Sequence, residues 1–283
     1  FETFVEKILL LIRTTTRHDL SGYKQNTIRR RIERRLALHK LTRIADYHRY
    51  LQENPEEVQA LFRDLLITVT SFFRDPEAFQ ALNDQVIPEI MAGKETGAAI
   101  RVWVPGCASG EEAISLAILL AEARERLGKA VVIQVFATDL DSEAIARARL
   151  TEYPESIAAD VSPERLQLFF TKKDNAYKVK QEIREMVVFA VQNLIGDPPF
   201  SRLDLISCRN VLIYLGAELQ KKIISLFHFV LNQEGHLFLG SSESVGGFAD
   251  LFRPLDTKWK IYRRKDLGLG QRVEYPPRFA LEG

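Results

Sequence analysis

The run Arg101-Val-Trp-Val-Pro-Gly-Cys-Ala-Ser-Gly-Glu-Glu112 constrains the fold more than any other segment of this chain. A short apolar strand enters a turn bounded by Gly106 and Gly110, passes two carboxylates, and continues as an apolar helix from Ala113 to about Leu127. A second β-branched run, Val131 to Ala137, ends in Thr138-Asp139-Leu140-Asp141. Strand, turn, helix and strand in this order begin an α/β sheet, and glycine in the turn lets backbone approach a ligand that a Cβ would exclude. An acid after the second strand can hold ribose hydroxyls. The combination points to a nucleoside cofactor, whereas the turn alone would serve equally as steric relief between strand and helix.

The same alternation continues downstream. Strands are predicted at 101–104, 131–137, 186–191, 203–207, 236–240 and 258–263, and helices at 111–126, 142–149, 163–170 and 217–231. That pitch implies a mostly parallel sheet whose ligands sit outside the carboxyl ends of the strands, where Gly106–Glu112 and Asp139 both fall. Upstream the periodicity is helical only: Phe4, Ile8, Leu11 and Ile12, then Ile28, Ile32 and Leu36, then Val58, Leu61, Leu65 and Leu66. The polar stretch 171–180 reads as a short hairpin-like excursion that returns to the sheet through Glu185–Val191. The chain is therefore expected to hold an all-helical domain over 1–85 and an α/β domain over 86–266. The latter carries a small β-subdomain around 171–186, and a Gly- and Pro-rich linker or tail follows over 267–283.

Composition excludes several classes. With 46% apolar and 27% charged residues the chain is ordinary for a soluble globular protein, and a net charge of +1 provides no global field toward nucleic acid or membrane. No apolar run reaches the ~18 residues that span a bilayer. Cys107 and Cys208 form neither a disulfide framework nor a metal knuckle, which suits a reducing, cytoplasmic setting. His18, His39, His48, His228 and His236 lack metal-ligand spacing, so no metal is expected. No P-loop and no nucleophile elbow occurs. The chain opens on Phe1, which suggests a segment of a longer polypeptide with other domains.

Four further segments carry chemistry. Residues 17–43 hold nine Lys or Arg against two acids, with Lys24, Arg31 and Arg35 on one side of a helix, Arg30 and Arg34 adjacent, and Ile28, Ile32 and Leu36 facing inward. This is either a solvated face or a surface for an acidic partner. Thr68-Val-Thr-Ser-Phe-Phe-Arg74 either lines a pocket or simply ends the helical region. Asp197-Pro-Pro-Phe200 imitates the pocket of amino-methyltransferases acting on nucleic-acid bases, but it precedes a strand instead of following one. Cys208-Arg-Asn-Val-Leu-Ile-Tyr214 leaves that strand and carries an Asn amide and a Tyr hydroxyl toward the ligand end of the sheet.

With Thr70–Arg74, Val104–Glu112, Ala137–Asp141, Gln192-Asn193-Leu194, Cys208–Tyr214 and Gly240-Ser-Ser-Glu243 in order, the chain resembles the CheR family, the S-adenosylmethionine-dependent protein-glutamate O-methyltransferases of bacterial chemotaxis. The likeness runs from about residue 10 to 265, and in detail is most similar to large multidomain versions in which a CheB-like methylesterase domain precedes the CheR domain. It implies a Rossmann-like class I methyltransferase domain, mixed and mostly parallel in its sheet, behind a small all-α domain. S-adenosylmethionine would be the cofactor and S-adenosylhomocysteine its product. Carried over by motif, Thr68, Thr70 and Arg74 fall to the cofactor's methionine end and the mouth of the site, with Thr68 standing where many members have Asn. Gly106 and Glu112 would also meet the cofactor, Asp139 its ribose, Asn193 and Leu194 its adenine, and Asn210 and Val211 its sulfonium. Arg74 and Tyr214 would be the catalytic pair. Arg30, Arg31, Arg34 and Arg35 would meet the substrate, a chemoreceptor cytoplasmic domain or a related acidic helical protein. The excursion 172–180 is short and lacks the glycine-rich loop of members that dock a receptor's C-terminal pentapeptide. The rival readings are a cofactor-binding regulatory module of a sensor protein, or a methyltransferase acting on another protein or on nucleic acid.

Overall fold

A computed structural model describes residues 2–267. The expected tail therefore lies, beyond Leu267, outside the described residues. Contacts divide the chain into two compact units, one built from residues up to Ile67 together with Tyr214–Lys221, the other from Thr68–Ile213 and the residues from Lys222 onward.

The first unit contains α1 (Glu2–Thr16), α2 (Gln25–Leu38), α3 (Ile44–Glu53) and α4 (Pro55–Leu65). Each buries the stripe its periodicity marks, Ile28, Ile32 and Leu36 in α2 and Val58, Leu61 and Leu65 in α4. α1 packs on α3 and α4, and α2 on α4.

The second unit opens with α5 (Pro76–Gln85) and α6 (Ile87–Ala92), each with a proline in its first turn where the missing N–H costs nothing. Then follow β1 (Ala99–Pro105), α7 (Glu111–Arg126), β2 (Val132–Asp139), α8 (Ser142–Leu150), β3 (Glu152–Pro154), α9 (Pro163–Phe169), β4 (Phe170–Lys173), β5 (Ala176–Val179), α10 (Gln181–Arg184), β6 (Val187–Val191) and β7 (Leu203–Cys208). The chain closes with α11 (Ala217–Val230), β8 (Leu231–Leu239), β9 (Phe252–Asp256) and β10 (Ile261–Arg264). Seven strands form one sheet in the order β6-β2-β1-β7-β8-β10-β9, parallel from β6 to β8 and antiparallel at β10 and β9. The chain order reverses between β1 and β7. The loops leaving those two strands therefore diverge and open a crevice at their carboxyl ends.

Ile100, Val102, Trp103 and Val104 of β1 are buried, as a central strand covered on both faces requires. Trp103 donates its indole N–H to Thr138 Oγ1 at 3.0 Å, so the bulkiest core side chain leaves no orphaned donor. Phe200 stacks on Phe136 with ring centroids 4.4 Å apart and meets Trp103 edge-on. Phe200 is thus a packing residue, while Asp197 and Pro198 of the same segment are exposed. A separate antiparallel sheet, β3-β5-β4, forms the β-excursion.

Three expectations change. The helical boundary near residue 85 moves to Ile67/Thr68, because Phe79, Leu82, Ile87, Ile90 and Met91 of α5 and α6 bury in the core of the second unit. The excursion has a third strand, β3, too short at three residues to show alternation. β8 begins at Leu231 rather than 236, and β9 was not foreseen. The polar Asn232-Gln-Glu-Gly235 masks the start of β8. Pro254 masks β9, yet it is tolerated because β9 is an edge strand.

Candidate active site at the carboxyl ends of the sheet

The turn after β1 winds through three positive-φ residues, Gly106 (φ 71°), Ala108 (φ 48°) and Gly110 (φ 95°). A Cβ at Gly106 would lie 2.5 Å from Val211 Cγ2, and one at Gly110 would lie 2.8 Å from Phe189 Cε1. Both glycines are therefore needed for close approach as well as for conformation. The turn is pinned to β2 by hydrogen bonds: Cys107 N–H donates to Thr138 O at 2.9 Å and Ala108 N–H to Asp139 Oδ2 at 2.8 Å. Tyr153 of β3 donates its hydroxyl to Ser109 O at 2.9 Å, tying the small sheet to the same turn.

The two acids that end β2 have different work. Asp141 caps α8, accepting from Glu143 N–H and Ala144 N–H. Asp139 faces the glycine turn and also accepts Asp141 N–H at 2.9 Å, so each of its oxygens holds one backbone donor and retains capacity for another. Burial pushes the Asp139 carboxyl above its usual range, against the pull of those backbone donors. Gln192 N–H donates to Asp139 O at 3.0 Å, which brings the turn after β6 alongside. There Asn193 Oδ1 accepts from Ile195 N–H and Gly196 N–H, and Asn193 N–H donates to Asp197 Oδ2, so the Asn193 carbonyl is spent on its own turn.

Glu111 and Glu112 occupy the first turn of α7, where the helix dipole favours anions. Glu112 is only 9% exposed. Ser207 donates its hydroxyl to Glu112 Oε1 at 2.7 Å, whereas Oε2 has Arg209 Nη1 at 3.7 Å, beyond hydrogen-bond range. Glu243 organises the loop after β7: its two oxygens accept from Asn210, Val211, Ile213 and Gly240 N–H groups at 2.7–3.2 Å. Asn210 is held at φ 59°, and its side-chain oxygen is buried with no donor among the described residues. Before α5, Phe73 N–H donates to Ser115 Oγ of α7, and the Arg74 guanidinium donates to Val69 O. Thr68 and Thr70 are half-buried in the same segment.

Residues 68–261 match the family described as CheR methyltransferase, SAM binding domain, and residues 5–66 match CheR methyltransferase, all-alpha domain. The chain belongs to the CheR methyltransferase family. Similar proteins include the chemotaxis protein methyltransferase 1 of Pseudomonas aeruginosa, 30% identical over 272 residues that cover 94% of this chain and 96% of that one. The chemotaxis protein methyltransferase of Listeria monocytogenes is 31% identical over 232 residues, 82% of this chain and 86% of its own. An uncharacterized 104.1 kDa protein of Rhodobacter capsulatus is 41% identical over 241 residues, 85% of this chain; the aligned region is 25% of that longer protein.

The cofactor of a CheR domain is S-adenosylmethionine, and three features of this unit fit it. Glu112 Oε2 is an acceptor without a hydrogen bond, Asp139 retains acceptor capacity for a diol, and the Asn210 side-chain oxygen is buried without a donor among the described residues. In this CheR chain Gly106, Glu112, Asp139, Asn193, Leu194, Asn210 and Val211 all follow neighbouring strand ends of one sheet. Among the described residues no group of three His, Cys, Asp or Glu could hold a metal ion. Tyr214 belongs to the helical unit, where its carbonyl accepts Lys24 N–H at 2.9 Å.

Within the helical unit Arg30 and Arg34 are exposed and Arg31 half-exposed along α2. Arg35 differs. Its guanidinium grips Glu57 through both oxygens, at 2.8 and 2.5 Å, and Tyr47 donates its hydroxyl to the same carboxylate. The structure therefore corrects the placement of Arg35 among substrate-facing arginines: it is a structural ion pair. Arg209 and Glu243 enter the sequence reading only as parts of motifs, and Ser207 and Tyr153 carry no role there. Nothing in a one-dimensional pattern marks a polar residue after a buried strand as facing inward.

Proposed function

We propose that this domain transfers the methyl group of S-adenosylmethionine to glutamate side-chain carboxylates on acidic helical surfaces of chemoreceptor cytoplasmic domains. The observation that carries the reading is the convergence of Glu112, Asp139 and the Asn210–Val211 loop on the glycine turn at the strand-order reversal, in a CheR-family chain. Glu112 would hold the cofactor's methionyl ammonium and Asp139 its ribose hydroxyls. Thr68, Thr70, Asn193 and Leu194 would complete the contacts. The bound cofactor supplies a methyl group made electrophilic by its sulfonium.

The acceptor needs no base. A glutamate with an ordinary pKa of about 4.3 is ionised at neutral pH. A carboxylate oxygen bonds to the methyl carbon as the carbon–sulfur bond breaks, the bonding pair stays on sulfur, and no proton moves. Opposite charges cancel along this path, so alignment and exclusion of water carry the catalysis. Arg74 would keep the acceptor, or an acid beside it, in register; binding the acceptor anion too strongly would slow its attack. Tyr214 would orient it through its hydroxyl. Arg30, Arg31 and Arg34 on α2 would draw in the acidic substrate helix. A chain that covers a quarter of a 104.1 kDa relative is suited to work beside other domains, and a CheB-like neighbour is the natural candidate.

The test is tritiated methyl transfer to receptor cytoplasmic domains. Label released as methanol by mild base supports the ester; label that survives base, or enters only nucleic acid, overturns it.

A further inference from the structure

Arg209 is the least exposed charged side chain beside the site, with 0% of its side chain open to solvent. Its guanidinium lies over the edge-to-face pair of rings Phe79 and Phe238, 5.1 and 4.6 Å from their centroids. Nη1 donates to Arg74 O at 2.9 Å and Nη2 to Asp75 Oδ2 at 2.7 Å. Nη1 also stands 3.7 Å from Glu112 Oε2. One planar group thus touches the end of the 68–74 segment and faces the first turn of α7. The segment it holds is strained, with Phe73 at φ 47° and Asp75 at φ 59°. A conformation of that kind persists only where surrounding contacts fix it.

We infer that Arg209 is a positioning residue that locks the Arg74–Asp75 backbone against α7 and supplies the internal positive charge facing Glu112. The inference rests on the proposed reading of Glu112 as the carboxylate that receives the cofactor's ammonium.

The electrostatics around Glu112 give Arg209 a distinct task. Burial raises the Glu112 carboxyl above its ordinary value. Arg209 opposes that rise most strongly, followed by the Ser207 hydroxyl; Glu243 adds to the rise and Arg74 opposes it. The thiols of Cys107 and Cys208 also face this carboxylate, and its charge contributes to holding both of them protonated. A buried charge left without its partner neutralises itself. Without Arg209, Glu112 would hold its proton to a higher pH than it does with Arg209 beside it. Protonated, it would cease to attract an ammonium, and the loss would deepen as pH falls. Lysine cannot replace the fork, because an ammonium is a single point charge and cannot hold Arg74 O and Asp75 in one plane.

The experiment is calorimetric titration with S-adenosylhomocysteine from pH 6 to 8.5, with turnover measured alongside, on wild type, Arg209→Lys, Arg209→Met and Glu112→Gln. Wild-type affinity should hold down to a lower pH than that of Arg209→Met. In Arg209→Met it should fall by about tenfold per pH unit once below the raised Glu112 pKa, the slope of a single proton. Adding Glu112→Gln should abolish that slope. Arg209→Lys should keep the wild-type pH profile and affinity within about threefold, yet lose about tenfold or more in kcat, equivalent to a barrier higher by about 1.4 kcal/mol. A wild-type pH profile in Arg209→Met, or wild-type kcat in Arg209→Lys, overturns the inference; if the Met variant does not fold, the Lys variant decides. Unchanged binding in Glu112→Gln would instead overturn the cofactor-site reading itself.

Discussion

A methyl group at position 106 would collide with Val211 on a backbone that L residues seldom adopt. Gly106→Ala should therefore weaken S-adenosylhomocysteine binding by about tenfold or more, on the ~1–2 kcal/mol typical of the left-handed region plus the overlap. Val211→Ala in the same chain should recover part of the loss, since it removes the clash and leaves the strain. Full affinity in the single variant would show that the loop relaxes freely. Asp139→Ala removes both the carboxylate proposed to receive the ribose hydroxyls and the anchor of Ala108 N–H. Calorimetry should find cofactor binding abolished, and wild-type affinity there would displace the pocket. The acid after β2 and both glycines were legible from spacing. Asp139 was placed at the ligand end of the sheet from the same spacing, but that Asp141 caps α8 was not, because a cap depends on where the helix starts.

At the scale of elements, α2 divides its arginines by face. Reversing Arg30, Arg31 and Arg34 to Glu should lower the rate of receptor methylation several-fold at low salt, with less effect at high salt, and leave cofactor affinity intact. Loss of both would show that the exposed face is structural. Helical periodicity identified Ile28, Ile32 and Leu36 as the inward stripe, and they are buried. It could not separate Arg35 from its neighbours, because the carboxylate that claims it, Glu57, arrives from α4, 22 residues later. The central strands were legible because burial on both faces leaves unbroken apolar runs. β3, β9 and the first half of β8 escaped because a short, proline-bearing or polar strand is defined by its neighbours in the sheet rather than by its own pattern.

For the molecule as a whole, acid should loosen the helical unit through Glu57. Burial would raise its pKa, but hydrogen bonds from Arg35, Tyr47 and His39 overcome that and hold it below its ordinary value of 4.5. A carboxylate depressed by folding stabilises fully above the unfolded pKa and loses that contribution as pH falls through the folded one. Thermal midpoints of wild type should therefore drop between about pH 5 and pH 3 by more than those of Glu57→Gln, whose midpoint at neutral pH is already lower. Removing one partner of such a pair costs about 3 kcal/mol, less where water reaches it, and Arg35→Met should show a loss of that order at neutral pH. Equal pH slopes in wild type and Glu57→Gln would remove Glu57 from the account.

The helical unit is completed from far along the chain. Gly216 N–H donates to Gly22 O at 2.8 Å, Tyr23 pairs with Leu215, and Leu219 occupies the space beside Gly22. On the ribosome, then, α1 to α4 must wait for about 150 residues of later chain before their last backbone partners exist. An excised fragment ending at Ile67 would leave those groups to solvent, so the piece that sequence periodicity marks off as a domain is, for folding, an open ring closed by its own distant C-terminal neighbour.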